Sequence, residues 1–243
     1  RNRKQQKLLK GISGANIMFQ WDDTGLYKGF VRAENKVPQV PYKDTDEYLA
    51  SLSSIRKSGK DYNGILNKNV VMLDADCEPH SNNLLKIIQW ENLPCLVTNR
   101  EGGRGYHALF FDANQYVQGD STAILLACGI IVDIKAGISN GTDALKCNGI
   151  EREPIYNAMP YGDLPRYFTP IKHMDKNSQV EFWNLGEGDG RNPALFSYIL
   201  TLQVNDFSKE EIRSAIRILN NYVLKTPLSE KELETILRND SFK

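Results

Sequence analysis

Neither sign of charge predominates in this sequence: 30 Lys and Arg stand against 30 Asp and Glu, for a formal net charge of +0. Without a global positive excess, any contact with nucleic acid needs a local basic cluster. Long apolar runs are missing too. None approaches the roughly 20 residues that a membrane-spanning helix requires, so no membrane partner is expected. The opening stretch, "RNRKQQKLLK", is basic and polar and lacks the apolar centre of a secretory signal. Cysteine is scarce. The 4 present, at 77, 95, 128 and 147, form none of the close pairs of a zinc site. Those at 95, 128 and 147 lie in or beside apolar runs, the setting of buried free thiols. A disulfide scaffold, a zinc ribbon and a membrane span are thereby excluded, and a cytoplasmic location is the expectation.

What is present is the material of a globular protein. With 243 residues, 41% of them hydrophobic, the chain can build one large domain or two small ones. Its character shifts near "NLGEGDGRNP", residues 184–193. Before it, β-like runs alternate with helical ones. "VVMLDAD" (70–76), "PCLVTN" (94–99), "YHALFF" (106–111) and "IIVDIK" (130–135) predict strands. "SNNLLKIIQWEN" (81–92), with Ser81 as N-cap, and "NQYVQGDSTAILLACG" (114–129) predict helices. Further upstream, "NIMFQW" and "KGFVRA" predict a hairpin and "TDEYLASLSSIRKS" (45–58) a helix. After the shift everything reads helical. Asn192 caps a helix with Pro193 at its first position, and the pairs Ser208/Glu211 and Ser229/Glu232 are capping boxes for two more. The expectation is an α+β fold, with one domain over 1–183 and a helical module over 184–243.

Chemistry concentrates in three places. Val70 to Leu73 run straight into Asp74-Ala75-Asp76. Residues i and i+2 share a strand face about 7 Å apart, so two like charges stand side by side, an arrangement that a cation makes favourable. An isolated D-x-D is more often the solvated end of a strand. Its chemical alternative is a divalent metal site, and oxygen-only ligands suit Mg or Mn. Glu78 and His80 follow in proline-containing loop sequence and read as solvated. The second place is "TNREGGRGYH" (98–107). Three glycines in one turn let backbone N–H groups approach a phosphate, Arg104 offers a fork of donors, and His107 opens an apolar strand. In the third, "GIIVDIKAG" (129–137), Asp133 and Lys135 share a face after an apolar run. A surface ion pair is the plain reading. Together, however, Asp74, Asp76 and Asp133 with Arg104, His107 and Lys135 are the inventory for two Mg ions about 3.5–4 Å apart and a triphosphate.

In their order and spacing these motifs resemble the archaeo-eukaryotic primase superfamily, in its prim-pol branch from phages, plasmids and mobile elements. Its first motif, an apolar strand ending in D-x-D or D-x-E, is matched by Asp74 and Asp76. Its second, a small residue, any residue, then His, is matched by Gly105-Tyr106-His107. Its third, an apolar strand ending in Asp, is matched by Asp133. The segment from "GEGDGRNP" onward is similar to the helical module that follows the catalytic core in many such primases. The resemblance covers roughly residues 65–240. It departs at Gly105, where the family usually has serine; Thr98 is a candidate replacement.

The resemblance implies a primase-like core, an RRM-like sheet beside an N-terminal α/β module, followed by the helical module. It implies DNA primase or polymerase activity on a single-stranded DNA template. The substrates would be nucleoside triphosphates, NTP or dNTP, the cofactor Mg2+ or Mn2+, and a helicase, fused or separate, a partner. Asp74, Asp76 and Asp133 would hold the metals; His107, Arg104 and Lys135 would hold the triphosphate, with Gly105 beside it.

Rival readings remain. The D-x-D also suits a metal-dependent glycosyltransferase, although residues 1–64 are too polar for the nucleotide-binding region that should precede it. Asp133-Ile134-Lys135 suits a D-x-K nuclease with Asp112 or Asp120 as second carboxylate, which leaves Asp74 and Asp76 unexplained. A non-catalytic replication-initiation protein on the same fold would have little use for three carboxylates.

Overall fold

A computed structural model describes residues 18–100, 102–103, 105–174 and 179–242. In chain order these form β1 (Tyr27–Glu34), β2 (Val37–Pro38), α1 (Leu52–Lys57), β3 (Tyr62–Leu66), β4 (Val70–Ala75), α2 (His80–Trp90), β5 (Leu96–Asn99), β6 (Tyr106–Phe111), β7 (Ser121–Leu125), β8 (Ile131–Ala136), β9 (Thr142–Cys147), β10 (Ile150–Glu151), β11 (Glu153–Asn157), α3 (Arg191–Val204), α4 (Lys209–Ile218) and α5 (Glu230–Ile236). The strands make two antiparallel sheets, ordered β10-β9-β3-β1-β2 and β11-β5-β6-β4-β8-β7. The class is α+β. No helix among the described residues is long and apolar enough to cross a membrane.

Strand β4 shows how the layers form. Successive side chains point to opposite faces. Val71, Leu73 and Ala75 enter a core built with α2 and the C-terminal helices, while Val70 and Met72 enter a second core with Trp21 and with Tyr27, Phe30 and Tyr62 of the five-stranded sheet. Burial of each of the Val, Leu and Met side chains contributes about 1.5–3 kcal/mol, so β4 is held from both sides. The first core runs on without a break into Leu195, Ile199 and Leu202 of α3, Ile212 and Ile216 of α4, and Leu233 of α5. These short amphipathic helices gain their burial against the sheet, not only against one another.

The four strands anticipated around the motifs are present as β4, β5, β6 and β8, and both capping boxes are formed. Five other expectations are corrected. Residues 114–129 hold no helix; they carry β7, which pairs with β8 across a bulge between Ser121 and Ile124, with Ala123 at φ 50°. Pairing along an otherwise open strand edge has overridden local helix propensity. Of 45–58 only Leu52–Lys57 is helical. In the anticipated first hairpin, Met18 to Trp21 form no strand, and β1 pairs with β2 and β3. Asn192 is not the cap and Pro193 not the first helical residue: helix α3 begins at Arg191 behind Gly190, whose φ of 78° suits glycine. Arg191 is fastened by its side chain to the Thr226 and Pro227 carbonyls.

Ser81 is not a cap. It lies within the first turn of α2, its N–H bonded to the Cys77 carbonyl at 2.9 Å, and its buried hydroxyl has no partner among the described residues. The two serine classes should therefore respond oppositely to alanine. Ser208→Ala should lower the unfolding free energy by about 1 kcal/mol. Ser81→Ala, which removes an unsatisfied buried hydroxyl, should leave it unchanged or raise it by up to about 1 kcal/mol. Urea denaturation of both variants checks the contrast.

Candidate functional site

Strand β4 runs through the middle of the six-stranded sheet between β6 and β8. Its register sets Asp74 directly opposite His107 on one side and Asp133 on the other, and β5 adds Thr98 opposite His107. Thr98, His107, Asp74 and Asp133 thus form one row across four strands. Directly opposed residues stand about 4.5–5.5 Å apart at Cβ. The row lies on the Val70/Met72 face of β4, which is turned toward the five-stranded sheet. Lys135 is opposite Met72, next to the row, with its ammonium 3.8 Å from Asp120. Asp76 follows the end of β4 and is exposed. Arg104 lies outside the described residues.

Gly105 has a definite local role. A Cβ there would fall 2.4 Å from Asp76 Oδ1 and 2.8 Å from the Ala75 carbonyl oxygen. The absence of a side chain lets the glycine turn close over the end of β4.

Beneath the row is a buried ionic cluster that joins the sheets. His107, only 4% exposed, places Nδ1 2.7 Å from Asp143 Oδ1 and Nε2 3.2 Å from Asp74 Oδ1. Asp143, fully buried on β9, accepts the Tyr27 hydroxyl at Oδ2 over 2.7 Å. Arg152, between β10 and β11, has Nε 3.8 Å from Asp143 Oδ1 and contacts His107 Nε2 through Nη2. Burial pushes the Asp143 carboxyl up, but His107, Arg152 and the Tyr27 bond outweigh it and hold the group down at about 2. Burial likewise disfavours a charged His107, yet Asp143 and Asp74 raise its pKa above the ordinary value. Asp74 is lowered, its burial outweighed by His107 and then Arg152.

Because Asp143 is an anion, it can only accept, so His107 Nδ1 carries the proton toward it. Nε2 is contested: a carboxylate can only accept from it, and a guanidinium can only donate to it. Asp143 and Asp74 pull the ring toward protonation, whereas Arg152 opposes it. The Nε2–Asp74 contact lacks hydrogen-bond alignment, and among the described residues Asp74 Oδ1 has no aligned donor.

Among the described residues, polar atoms without a hydrogen-bond partner gather here. Besides Asp74 Oδ1 they include Thr98 Oγ1 and the Nε atoms of Arg100 and Arg152. Arg100 gives one nitrogen to the Ala144 carbonyl at 2.7 Å. Arg152 is depressed first by burial and then by the Arg100 charge. Buried polar atoms are normally satisfied. An orphaned acceptor beside orphaned cationic donors suits a ligand that carries both a cation and an anion.

Among the described residues, no three of His, Cys, Asp and Glu converge closely enough to hold a metal ion. Asp74 is turned to His107, and Asp133 accepts the Ala123 N–H at 2.8 Å. The donor set still fits a hard divalent cation in type and in backbone placement: its ligating atoms are all oxygen, two carboxylates are directly opposed, and one oxygen is orphaned. The second carboxylates of the nuclease reading serve the local backbone. Asp112 accepts the Tyr116 and Val117 N–H groups at 3.0 and 2.9 Å. Asp120 accepts the Ala136 N–H and the Ser139 hydroxyl, both at 2.8 Å. Glu78 is exposed. His80 accepts the Ile131 N–H at 3.2 Å and packs edge-on against Trp183.

Tyr27, Arg100, Asp143 and Arg152 were not anticipated from the sequence. A signal existed for Asp143: in "TDALKC" a period-2 reading puts it on one face with Leu145 and Cys147, a carboxylate on a buried side. No family model matches the chain, and no curated protein matches its sequence.

Two outcomes follow from this geometry. Gly105→Ser should destabilise the fold by about 1–3 kcal/mol, because backbone at Ala75 and Asp76 must shift; urea unfolding measures it. His107 should make stability pH-dependent. A group whose folded pKa is raised stabilises below its unfolded value and loses that contribution as pH rises through the folded one. The urea midpoint should therefore fall as pH is raised above about 6.5, and that fall should be absent in His107→Gln. Asp143, depressed to about 2, contributes on the opposite side, losing its share as pH falls below about 4.

Proposed function

We propose that this protein is a template-directed nucleotidyltransferase of the archaeo-eukaryotic primase kind, a DNA primase or polymerase acting on single-stranded DNA. The carrying observation is the row Thr98, His107, Asp74 and Asp133, fixed by register on three motif strands and β5. Around it the orphaned atoms ask for a cation and an anion together, and a metal-bound nucleoside triphosphate is such a ligand. In this reading the six-stranded sheet is the catalytic half, the five-stranded sheet the N-terminal module, and α3–α5 the C-terminal helical module.

Asp74, Asp133 and, from the strand end, Asp76 would hold Mg2+ or Mn2+. When bound, the metal supplies charge neutralisation and favours ionisation of the attacking hydroxyl. Lys135, Arg104 and the Nε2 edge of His107 would hold the triphosphate, and Arg100 and Arg152 add positive charge from behind. The 3′-hydroxyl oxygen bonds to the α-phosphorus, the bond from that phosphorus to its bridging oxygen breaks, and pyrophosphate leaves. The protein contributes chiefly alignment and a preorganised field. With no net charge, template affinity rests on a local basic groove and should fall steeply with salt. A helicase, fused or separate, would supply the single strand.

The test is incubation with single-stranded DNA, Mg or Mn and labelled NTP or dNTP, beside Asp74→Ala and Asp133→Ala. Extended or newly primed product is expected from the unmodified protein, and at least about a 100-fold loss in each variant. No product from the unmodified protein, or product that survives both substitutions, overturns the proposal. DNA cleavage or sugar transfer from a nucleotide-sugar would point to the nuclease or the glycosyltransferase.

A further inference from the structure

We propose that Asp143 is a positioning residue for this site: contributed by the five-stranded sheet, it orients the His107 ring so that Nε2 faces Asp74. The kinetic consequence rests on the nucleotidyltransferase reading; the structural consequence rests on geometry alone.

The backbone of β6 fixes where the His107 side chain leaves the sheet, but not how the ring is turned about its last torsion. Turned by half a circle, the ring would present carbon to both of its neighbours. Asp143 decides between the two settings, because its Oδ1 lies 2.7 Å from Nδ1 and can accept only from nitrogen. Asp143 is itself immobilised. The Tyr27 hydroxyl holds Oδ2 at 2.7 Å, and Arg152 Nε lies 3.8 Å from Oδ1. Both oxygens are engaged, on a residue with 0% exposure. The order of contact is Tyr27, Asp143, His107, Asp74, from β1 through β9 and β6 to β4.

An apolar residue at 143 would have continued the buried side that Leu145 and Cys147 occupy. Replacing buried charge by packed apolar groups is often neutral or stabilising. Retaining a carboxylate there, with an aromatic hydroxyl to hold it, makes sense if the imidazole must be aimed. Outer partners of this kind commonly matter 10- to 100-fold to the function of the group they orient.

The experiment uses the whole chain with Asp143→Asn and Tyr27→Phe, each checked for cooperative thermal unfolding. Two readouts are taken. The first is the His107 side-chain 15N and Nδ1–H NMR signals, which report how the ring is held. The second is nucleotide-dependent kinetics. The unmodified protein should show a protected Nδ1–H. In Asp143→Asn that signal should shift or disappear, and kcat should fall at least about tenfold, by more than KM for nucleotide rises, because Lys135 and Arg104 still hold the triphosphate that the misaimed ring no longer aligns; a role confined to fastening the sheets together would not produce this split. Tyr27→Phe, which frees one oxygen of Asp143, should shift the same signal less and lower kcat less. If Asp143→Asn fails to fold, Tyr27→Phe carries the decision. Folded variants with unchanged His107 signals and unchanged kcat overturn the proposal. If the unmodified protein transfers no nucleotide, the functional reading fails, while the NMR signals still decide whether Asp143 orients His107.

Discussion

Charge kept out of water must be matched nearby, and the seam between the two sheets is arranged around that constraint. Asp143 and Asp74 supply negative charge and Arg152 positive charge, with the His107 ring between them, within a chain of direct contacts. Removing one member leaves another uncompensated, a far costlier state than either the full set or none. The cluster draws on β1, β4, β6, β9 and the segment between β10 and β11, so its balance is a property of the assembled protein. The two sheets are joined by electrostatics at the place where apolar packing gives way to the site.

That packing explains why the site is where it is. Val70 and Met72 pack against the aromatic residues of the first sheet, and the same face of β4 then presents Asp74. The change from apolar to ionic occurs within one step of the alternation, at the edge of the second core. Here the sheets remain close enough to shield charge, while Asp76, just beyond, is exposed. A site that draws one carboxylate from a semi-buried row and another from the open strand end has both a fixed side and an accessible one.

The parts of this arrangement that could be read from the sequence are those in which one strand carries the whole signal. An apolar run ending in a carboxylate marks β4 and β8, and Gly-Tyr-His marks the start of β6. Their mutual register could only be inferred from motif order, and the structure supplies it as direct opposition of Asp74 with His107 and Asp133. The C-terminal helices were legible because Ser-x-x-Glu is a local device. What could not be read depends on distant partners. Strand β7 looks helical in composition and is a strand because β8 offers an edge. Ser81 resembles a cap because the sequence does not reveal that the turn of α2 has already begun at Pro79. Asp143 and Arg152 lie in a stretch whose alternation looks ordinary until its inward side is seen to carry a carboxylate. The burial of His107 was likewise beyond sequence reasoning, since it is imposed by the other sheet.

The turn between β8 and β9 has one more consequence. Gly137 stands where the chain leaves one sheet for the other, and a Cβ there would lie 1.7 Å from the Asn67 carbonyl oxygen. The backbone is wedged against the turn leading into β4, with no room for even a methyl group. Asp133 precedes this pinch point and Asp143 follows it. The crossover thus acts as a clasp: it sets the distance between the carboxylate of one sheet and the carboxylate of the other, and closes the chain onto the strand that carries Asp74.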